Sequence, residues 1–147
     1  MFFLLKLIIG FIAVFVIAGV LRTWTLEYSD TQKRFAAGMM PSPAPDGFYA
    51  GSIERKTSWL GKKFYSVNST GINVFDEKGA HVEKYPFKTY ESSGTLKIDY
   101  NVPANPLWIR PILDEIVKTG KDAYLGKLQL RLIPGYPFTL AFFELGK

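Results

Sequence analysis

The 147-residue chain contains no cysteine. That absence removes disulfides, thiolate chemistry, most structural zinc arrangements and a lipidated-cysteine anchor. Histidine occurs once, at His81, so neither a usual metal set nor a nucleophile–histidine pair with a spare base can be assembled. An exposed structural histidine is the simpler reading. No G-x-S-x-G, P-loop or G-x-G-x-x-G motif is present, and there is neither an internal repeat nor a low-complexity tract. The formal charge of +5 is spread in singles and pairs, such as Arg55-Lys56 and Lys62-Lys63, with no long basic helix. Nucleic acid is therefore not an expected partner. Near a membrane such charge favours anionic headgroups; as a solvated basic surface it needs no partner. These exclusions point to a protein that is not an enzyme and holds no cofactor or metal.

What is present is an uncharged apolar run, Leu7–Leu21, which with Phe2–Leu5 spans about 20 residues, or roughly 30 Å as a helix, the thickness of a hydrocarbon core. Lys6 interrupts it near one end, where a long stem can carry the ammonium to the headgroups. A cleaved signal peptide is the alternative, with small Val16 and Ala18 before a cut. A single Lys in the n-region and the missing A-x-A pattern favour an uncleaved anchor. Trp24 and Tyr28 are suited to the interface. Gly10, Ala13, Ala18 and Gly19 offer small surfaces on which another membrane helix can pack. A literal count of positive charges keeps the domain in the cytoplasm, whereas a short tail before a signal-anchor exports it. We take export as the expectation: a single-pass protein of a bacterial inner membrane with its C-terminal domain in the periplasm.

Three regions are expected: a transmembrane helix over 1–23, a connector and Pro-rich spacer over 24–45, and a β-barrel-like domain over 46–147. In the connector, Ser29 or Asp30 can start a short helix with Phe35, Met39 and Met40 on its apolar side. Pro41-Ser-Pro-Ala-Pro45 then reads as a stiff extended spacer. Strand-like segments follow at 47–55, 60–68, 72–75, 81–90, 95–102, 123–133 and 138–145. The cleanest alternation is TLKIDYNV (95–102), with Leu96, Ile98, Tyr100 and Val102 on one face. Pro86 implies an edge or bulge, and adjacent Phe142 and Phe143 imply a last strand that is bulged or covered on both faces. The segment 111–119, PILDEIVKT, reads as a helix with Pro111 first and Gly120 as its stop. Ile112, Leu113, Ile116 and Val117 would form its buried stripe, with Asp114 and Lys118 on the wet side. About seven strands and one short helix make a mainly β fold, an antiparallel meander that curls into a barrel or half-barrel.

Few residues suggest chemistry. Asp99 lies on the face opposite the apolar one, and an Asp99–Arg110 pair can orient a polar ligand end in a cavity, form a surface ion pair, or brace the loop. Trp59-Leu-Gly-Lys62 and Tyr124-Leu-Gly-Lys127 read alike, and their glycines suit corners where a ring or backbone comes close. Trp59, Tyr100 and Trp108 are either core or the apolar walls of a cavity.

With Gly47-Phe-Tyr49 opening the first strand, Trp59 near the second and Arg131 late in the chain, the domain resembles the lipocalin-like (calycin) barrels. Those families carry a G-x-W near the start and a late Arg that packs over the Trp; here Tyr49 stands at the Trp position. The resemblance covers about a hundred residues and implies binding of a small hydrophobic molecule without reaction or cofactor. Two roles follow. The first is an accessory subunit of a larger membrane complex, joined through its helix to a membrane protein partner. The second is a tethered carrier or sensor of a lipid, quinone or pigment-like molecule. Membrane lipids are expected partners in both.

Overall fold

The computed structural model describes residues 2–147. Met1, whose terminal amine adds to the positive charge of Lys6 on the N-terminal side of the apolar run, lies outside the described residues. Helix α1 (Phe2–Glu27) runs almost directly into a short helix α2 (Asp30–Ala36). Eight strands follow: β1 (Gly47–Ile53), β2 (Trp59–Tyr65), β3 (Thr70–Glu77), β4 (Ala80–Ser92), β5 (Thr95–Asp99), β6 (Ile112–Gly120), β7 (Ala123–Ile133) and β8 (Tyr136–Gly146). Each pairs antiparallel with its neighbour, and β8 returns to β1, closing the barrel. Closure leaves no free sheet edge, which suits a small domain without disulfides.

The structure bears out the antiparallel barrel. It adds one strand, because the segment 111–119 is not helical. Residues Ile112–Gly120 form β6, between β5 and β7. The misreading has a physical cause. A strand covered on both faces buries residues of both parities, so its apolar positions lose the two-residue period and fall at i, i+3 and i+4. Ile112, Asp114 and Ile116 face the interior, while Val117 packs outward against Phe35 and Leu125 beneath α2. Asp114 is therefore not on a wet face beside Lys118. It is 1% exposed.

Other local features follow the residue types. Ser29 caps α2, its hydroxyl accepting from the Gln32 amide. Phe35 is buried on α2, and Met40 packs at the barrel core, while the Met39 side chain stays exposed. Pro41 and Pro45 are buried at the end of the barrel where the chain enters β1. Pro86 sits at a bulge, with the register slipping opposite Ile72–Asn73 and Tyr85 at φ 57°. Phe142 and Phe143 diverge, Phe143 into the core and Phe142 outward against Phe35. The ladder beside them slips at Leu128–Gln129.

That slip is repaired by α1. The Thr139 amide donates to Thr23 Oγ1 at 2.9 Å, and Glu27 accepts from Thr139 Oγ1 at 2.8 Å and from Lys127 Nζ at 2.9 Å. The Arg22 guanidinium donates to the Leu140 carbonyl at 3.1 Å and pairs with Glu54 at 3.6 Å. Helix α1 is thus welded to β8 by its last third. Residues Phe3–Glu27 are long and apolar enough to cross a membrane, a property also met by signal sequences.

The interior is layered. Aromatic rings fill the half nearer α2: Tyr49 stacks edge-on against Phe64 and Tyr124, and Phe64 against Phe87. Ile98, Ile116, Leu96 and Leu145 complete this packed end. The connections β1–β2, β3–β4, β5–β6 and β7–β8 all lie at the other end, as the meander requires. That end is open.

Candidate functional site: a buried ion pair beneath an apolar mouth

Between the packed half and the open rim lies one polar layer. Its members are interior positions on four strands, set by the same two-residue period that buries the aromatics. Lys62 precedes Phe64 on β2 and Asn73 follows Gly71 on β3. Tyr100 extends β5 beyond Ile98, and Asp114 lies between Ile112 and Ile116 on β6. Lys62 Nζ lies 2.8 Å from Asp114 Oδ2 and donates to Asn73 Oδ1 at 3.0 Å and to the Tyr100 hydroxyl. Asn73 Nδ2 donates to Tyr100 Oη at 2.9 Å, and Trp59 Nε1 donates to Asn73 Oδ1 at 3.1 Å. Both ends of the ion pair are almost wholly buried, with side-chain exposures of 3% and 2%. The ammonium also lies within 5.1–5.4 Å of the ring centres of Trp59, Phe87, Tyr100 and Phe143, a distance at which the ring faces attract a cation.

An ammonium has three protons, and Lys62 meets three acceptors, so its donor capacity is fully spent. The carboxylate is not. Asp114 Oδ2 is shared by Lys62 and Tyr100, while Asp114 Oδ1 is buried without a hydrogen-bond partner. The polar layer's unmet need is a donor.

Burial pushes the Lys62 ammonium below its ordinary range, with Asp114 opposing the shift. Burial likewise raises the Asp114 carboxyl, opposed by Lys62. The Tyr100 phenol is held well above its usual value, by burial first and by the Asp114 charge second, so it keeps its proton as a donor. These directions fix a pH dependence. The Asp114 contribution is full below its unfolded value, near 3.8, and is lost as pH rises through the higher folded value. The Lys62 contribution is full above its unfolded value, near 10.5, and is lost as pH falls through the lower folded value. Measured against a Lys62→Met/Asp114→Leu double variant, the protein should therefore show a trough of relative stability at intermediate pH. Denaturant midpoints of both proteins between about pH 4 and about pH 10 check this, and a flat difference contradicts it.

Above the polar layer an apolar cavity of about 280 Å³ opens toward the rim, walled by Ile53, Trp59, Phe75, Tyr85, Ile112 and Leu128. The β5–β6 connection (100–111) roofs one side with Ile109. Asn105 Nδ2 holds that loop by donating to the carbonyls of Pro86 and Tyr100, at 2.7 and 2.8 Å. Arg110 fastens it by donating to the carbonyls of Asn105 and Pro103, at 2.9 and 2.8 Å.

Of the residues singled out from sequence, Trp59 and Tyr100 belong to this site. Trp108 stands at its rim, edge-on to Tyr85 at 5.6 Å. Asp99 and Arg110 do not pair. Asp99 lies on the outer wall, where Arg131 meets it at 2.7 Å, and Arg110 alone braces the loop. The alternation of β5 dictates this, since Asp99 is out of phase with Ile98 and Tyr100. Arg131 consequently does not pack over Tyr49, whose ring is approached instead by Lys147 Nζ at 4.7 Å. Tyr49 itself is core. His81 is exposed beside the β3–β4 turn. Among the described residues no cluster of three or more His, Asp or Glu is arranged to hold a metal. On α1, a Cβ added at Gly19 would meet the Phe138 ring at 3.1 Å, while one added at Gly10 would meet nothing within 4 Å; Ala13, Ala18 and Trp24 are exposed.

Lys62, Asn73 and Asp114 are the residues that sequence reading missed. The signal for Lys62 is its phase, since it shares a strand face with Phe64. The signal for Asp114 becomes legible only once 112–116 is read with a two-residue period. Comparison with known proteins finds no match for the chain: no family model, no curated sequence and no solved structure aligns with it.

Proposed function

We propose that this protein is a membrane-tethered binder of a small amphiphile, carrying or sensing it without chemical change. The apolar body occupies the cavity and a neutral hydrogen-bond donor, such as a hydroxyl, meets Asp114. The observation that carries this reading is Asp114, which lines the polar floor of a one-ended, mainly apolar cavity and whose Oδ1 is buried without a partner. A buried acceptor without a partner costs about 1–3 kcal/mol, which a ligand donor recovers. A carboxylate ligand would bring an uncompensated negative charge to a pair that already balances itself, and Lys62 has no proton left to offer it. Lys62 is held in a fixed role by three acceptors, which supports binding over nucleophilic catalysis.

The closed eight-strand meander with one open end is compatible with kinship to the lipocalin-like barrels, although the Arg131 contact of that resemblance is not made. Helix α1 serves as the tether. The accessory-subunit role stands second. It is favoured by the open surface at Gly10, and Gly19 is already used by the barrel itself.

The test uses the full chain in detergent, with Trp24→Phe and Trp108→Phe so that Trp59 is the sole reporter. Decanol should change Trp59 emission saturably, and decanoate should bind at least about tenfold more weakly. Equal or tighter binding of decanoate would overturn the assignment of the donor head.

A further inference from the structure

The open end of the barrel and the apolar helix lie on the same side of the molecule. Gly19 touches Phe138 at the beginning of β8, and Thr23 and Glu27 follow alongside Thr139 and Lys127. Helix α1 therefore runs in the direction of β8, from the rim toward the packed end. Its residues before Gly19 span roughly 25 Å at 1.5 Å per residue and continue past the rim. At this rim the four connections divide by composition. The β1–β2 connection carries Glu54, Arg55 and Lys56, and the β3–β4 turn follows Asp76 and Glu77. The β7–β8 turn is uncharged, the β5–β6 loop carries only Arg110, whose guanidinium is turned back onto the Asn105 and Pro103 carbonyls, and both expose large apolar side chains. Leu107 is 77% and Trp108 66% exposed on the β5–β6 loop, and Leu132, Ile133 and Tyr136 stand out around the β7–β8 turn. Tyr136 stacks on Phe138 at 5.7 Å, so that turn lies beside α1 near or N-terminal to Gly19, within its uncharged run.

We infer that the apolar half of the rim is seated in the bilayer, so that the cavity opens into lipid and not into water. This rests on α1 being a membrane span. The occupant of the exposed patch is lipid because the span leaves the fold at that patch and runs parallel to the adjacent wall. A turn beside an uncharged membrane helix reaches hydrocarbon before it can reach another protein. The charged β1–β2 and β3–β4 connections then mark the side tilted toward the headgroups, where Arg55, Lys56 and Lys78 meet phosphate. A ligand dissolved in the membrane would reach Asp114 without crossing water.

The natural absence of cysteine makes the test direct. Single variants Leu107→Cys, Ile133→Cys and Val67→Cys of the full chain are labelled with an environment-sensitive nitrobenzoxadiazole dye. They are then reconstituted into vesicles of phosphatidylcholine and phosphatidylglycerol. Val67 is the control, an apolar side chain 96% exposed at the packed end. Labels at 107 and 133 should be shifted to the blue, quenched by acyl-chain nitroxide lipids and at least several-fold less accessible to aqueous cobalt than the label at 67. Equal aqueous access at all three positions, in protein that floats with the vesicles, would overturn rim seating alone. Protein that fails to float would overturn the tether as well. No ligand enters the assay, so neither outcome depends on the amphiphile reading.

Discussion

Replacing Lys62 by Met alone should cost about 3–5 kcal/mol of stability, because it strands a carboxylate 1% exposed inside a barrel of aromatic rings. Asp114→Leu alone should cost a similar amount, since the remaining ammonium would keep only neutral partners. The double replacement Lys62→Met/Asp114→Leu should recover most of the loss, because two matched apolar side chains remove both desolvation penalties together. Asn73 and Tyr100 would still hydrogen-bond each other at 2.9 Å. A double-mutant cycle by chemical denaturation measures this, with an expected coupling of about 3 kcal/mol or more. The exposed Arg34–Glu144 pair, at a similar 2.9 Å, should couple by less than about 1 kcal/mol. Similar couplings for the two pairs would show that Lys62 and Asp114 are hydrated in solution, and the cavity argument would fail with them. If the double variant folds but no longer binds decanol, the pair is kept for its ligand and not for the fold.

A second large effect is expected at Gly61. Its backbone lies at φ 145°, at the irregularity where β2 slips against β3. An added Cβ would collide with the Tyr49 carbonyl oxygen and come within 2.9 Å of the Gly51 nitrogen and 3.1 Å of the Ala50 Cα. These are backbone atoms of β1 and cannot rotate aside. Strain at positive φ and overpacking together should make Gly61→Ala cost about 4 kcal/mol, lowering the melting temperature by on the order of 10 °C or more. Gly79→Ala separates the two causes, because Gly79 also has positive φ (85°) but nothing within 4 Å of its would-be Cβ. It should cost only about 1 kcal/mol, the strain without the collision. Equal effects at both positions would mean that β1 and β2 are not held as closely as described.

Those two sites show what a reader of the sequence can and cannot see. The glycines of the two aromatic-Leu-Gly-Lys segments are legible as places of close approach, and the structure puts the β1 backbone against Gly61 and the Phe143 ring against Gly126. The meander is legible from alternation and turns. The Pro86 bulge and the double coverage around Phe142-Phe143 follow from elementary rules. The ion pair is not legible, because its carboxylate sits on a strand whose outer face is covered by α2. Covering that face replaces the two-residue period with a helical-looking one, and Asp114 then reads as a solvated helix residue. Lys62 is hidden for the opposite reason. In Lys62-Lys63 the interior lysine stands next to an outer one, and only closure of the barrel distinguishes the two sides. Asp99 and Arg110 have suitable chemistry for a cavity, but their phase sends them to the wall and the loop.

The position of the open end likewise depends on tertiary structure. No local pattern says that α1 runs along β8 and away from the rim; the contacts of Thr23, Arg22 and Glu27 do. Once that direction is fixed, the exposed apolar side chains of the β5–β6 and β7–β8 connections, the cavity and the apolar helix share one end of the molecule.

The central claim is that the cavity above Lys62 and Asp114 holds one small apolar molecule bearing a neutral donor. Intact-mass measurement of the full-length protein, isolated gently from the cells that make it, addresses it directly. The protein should carry a single adduct that extracts into organic solvent as a neutral alcohol or similar donor. Filling the cavity with Ile112→Trp should remove that adduct without unfolding the chain. A bare mass for the wild-type protein, or an adduct that persists when Ile112→Trp has filled the space, would contradict the account.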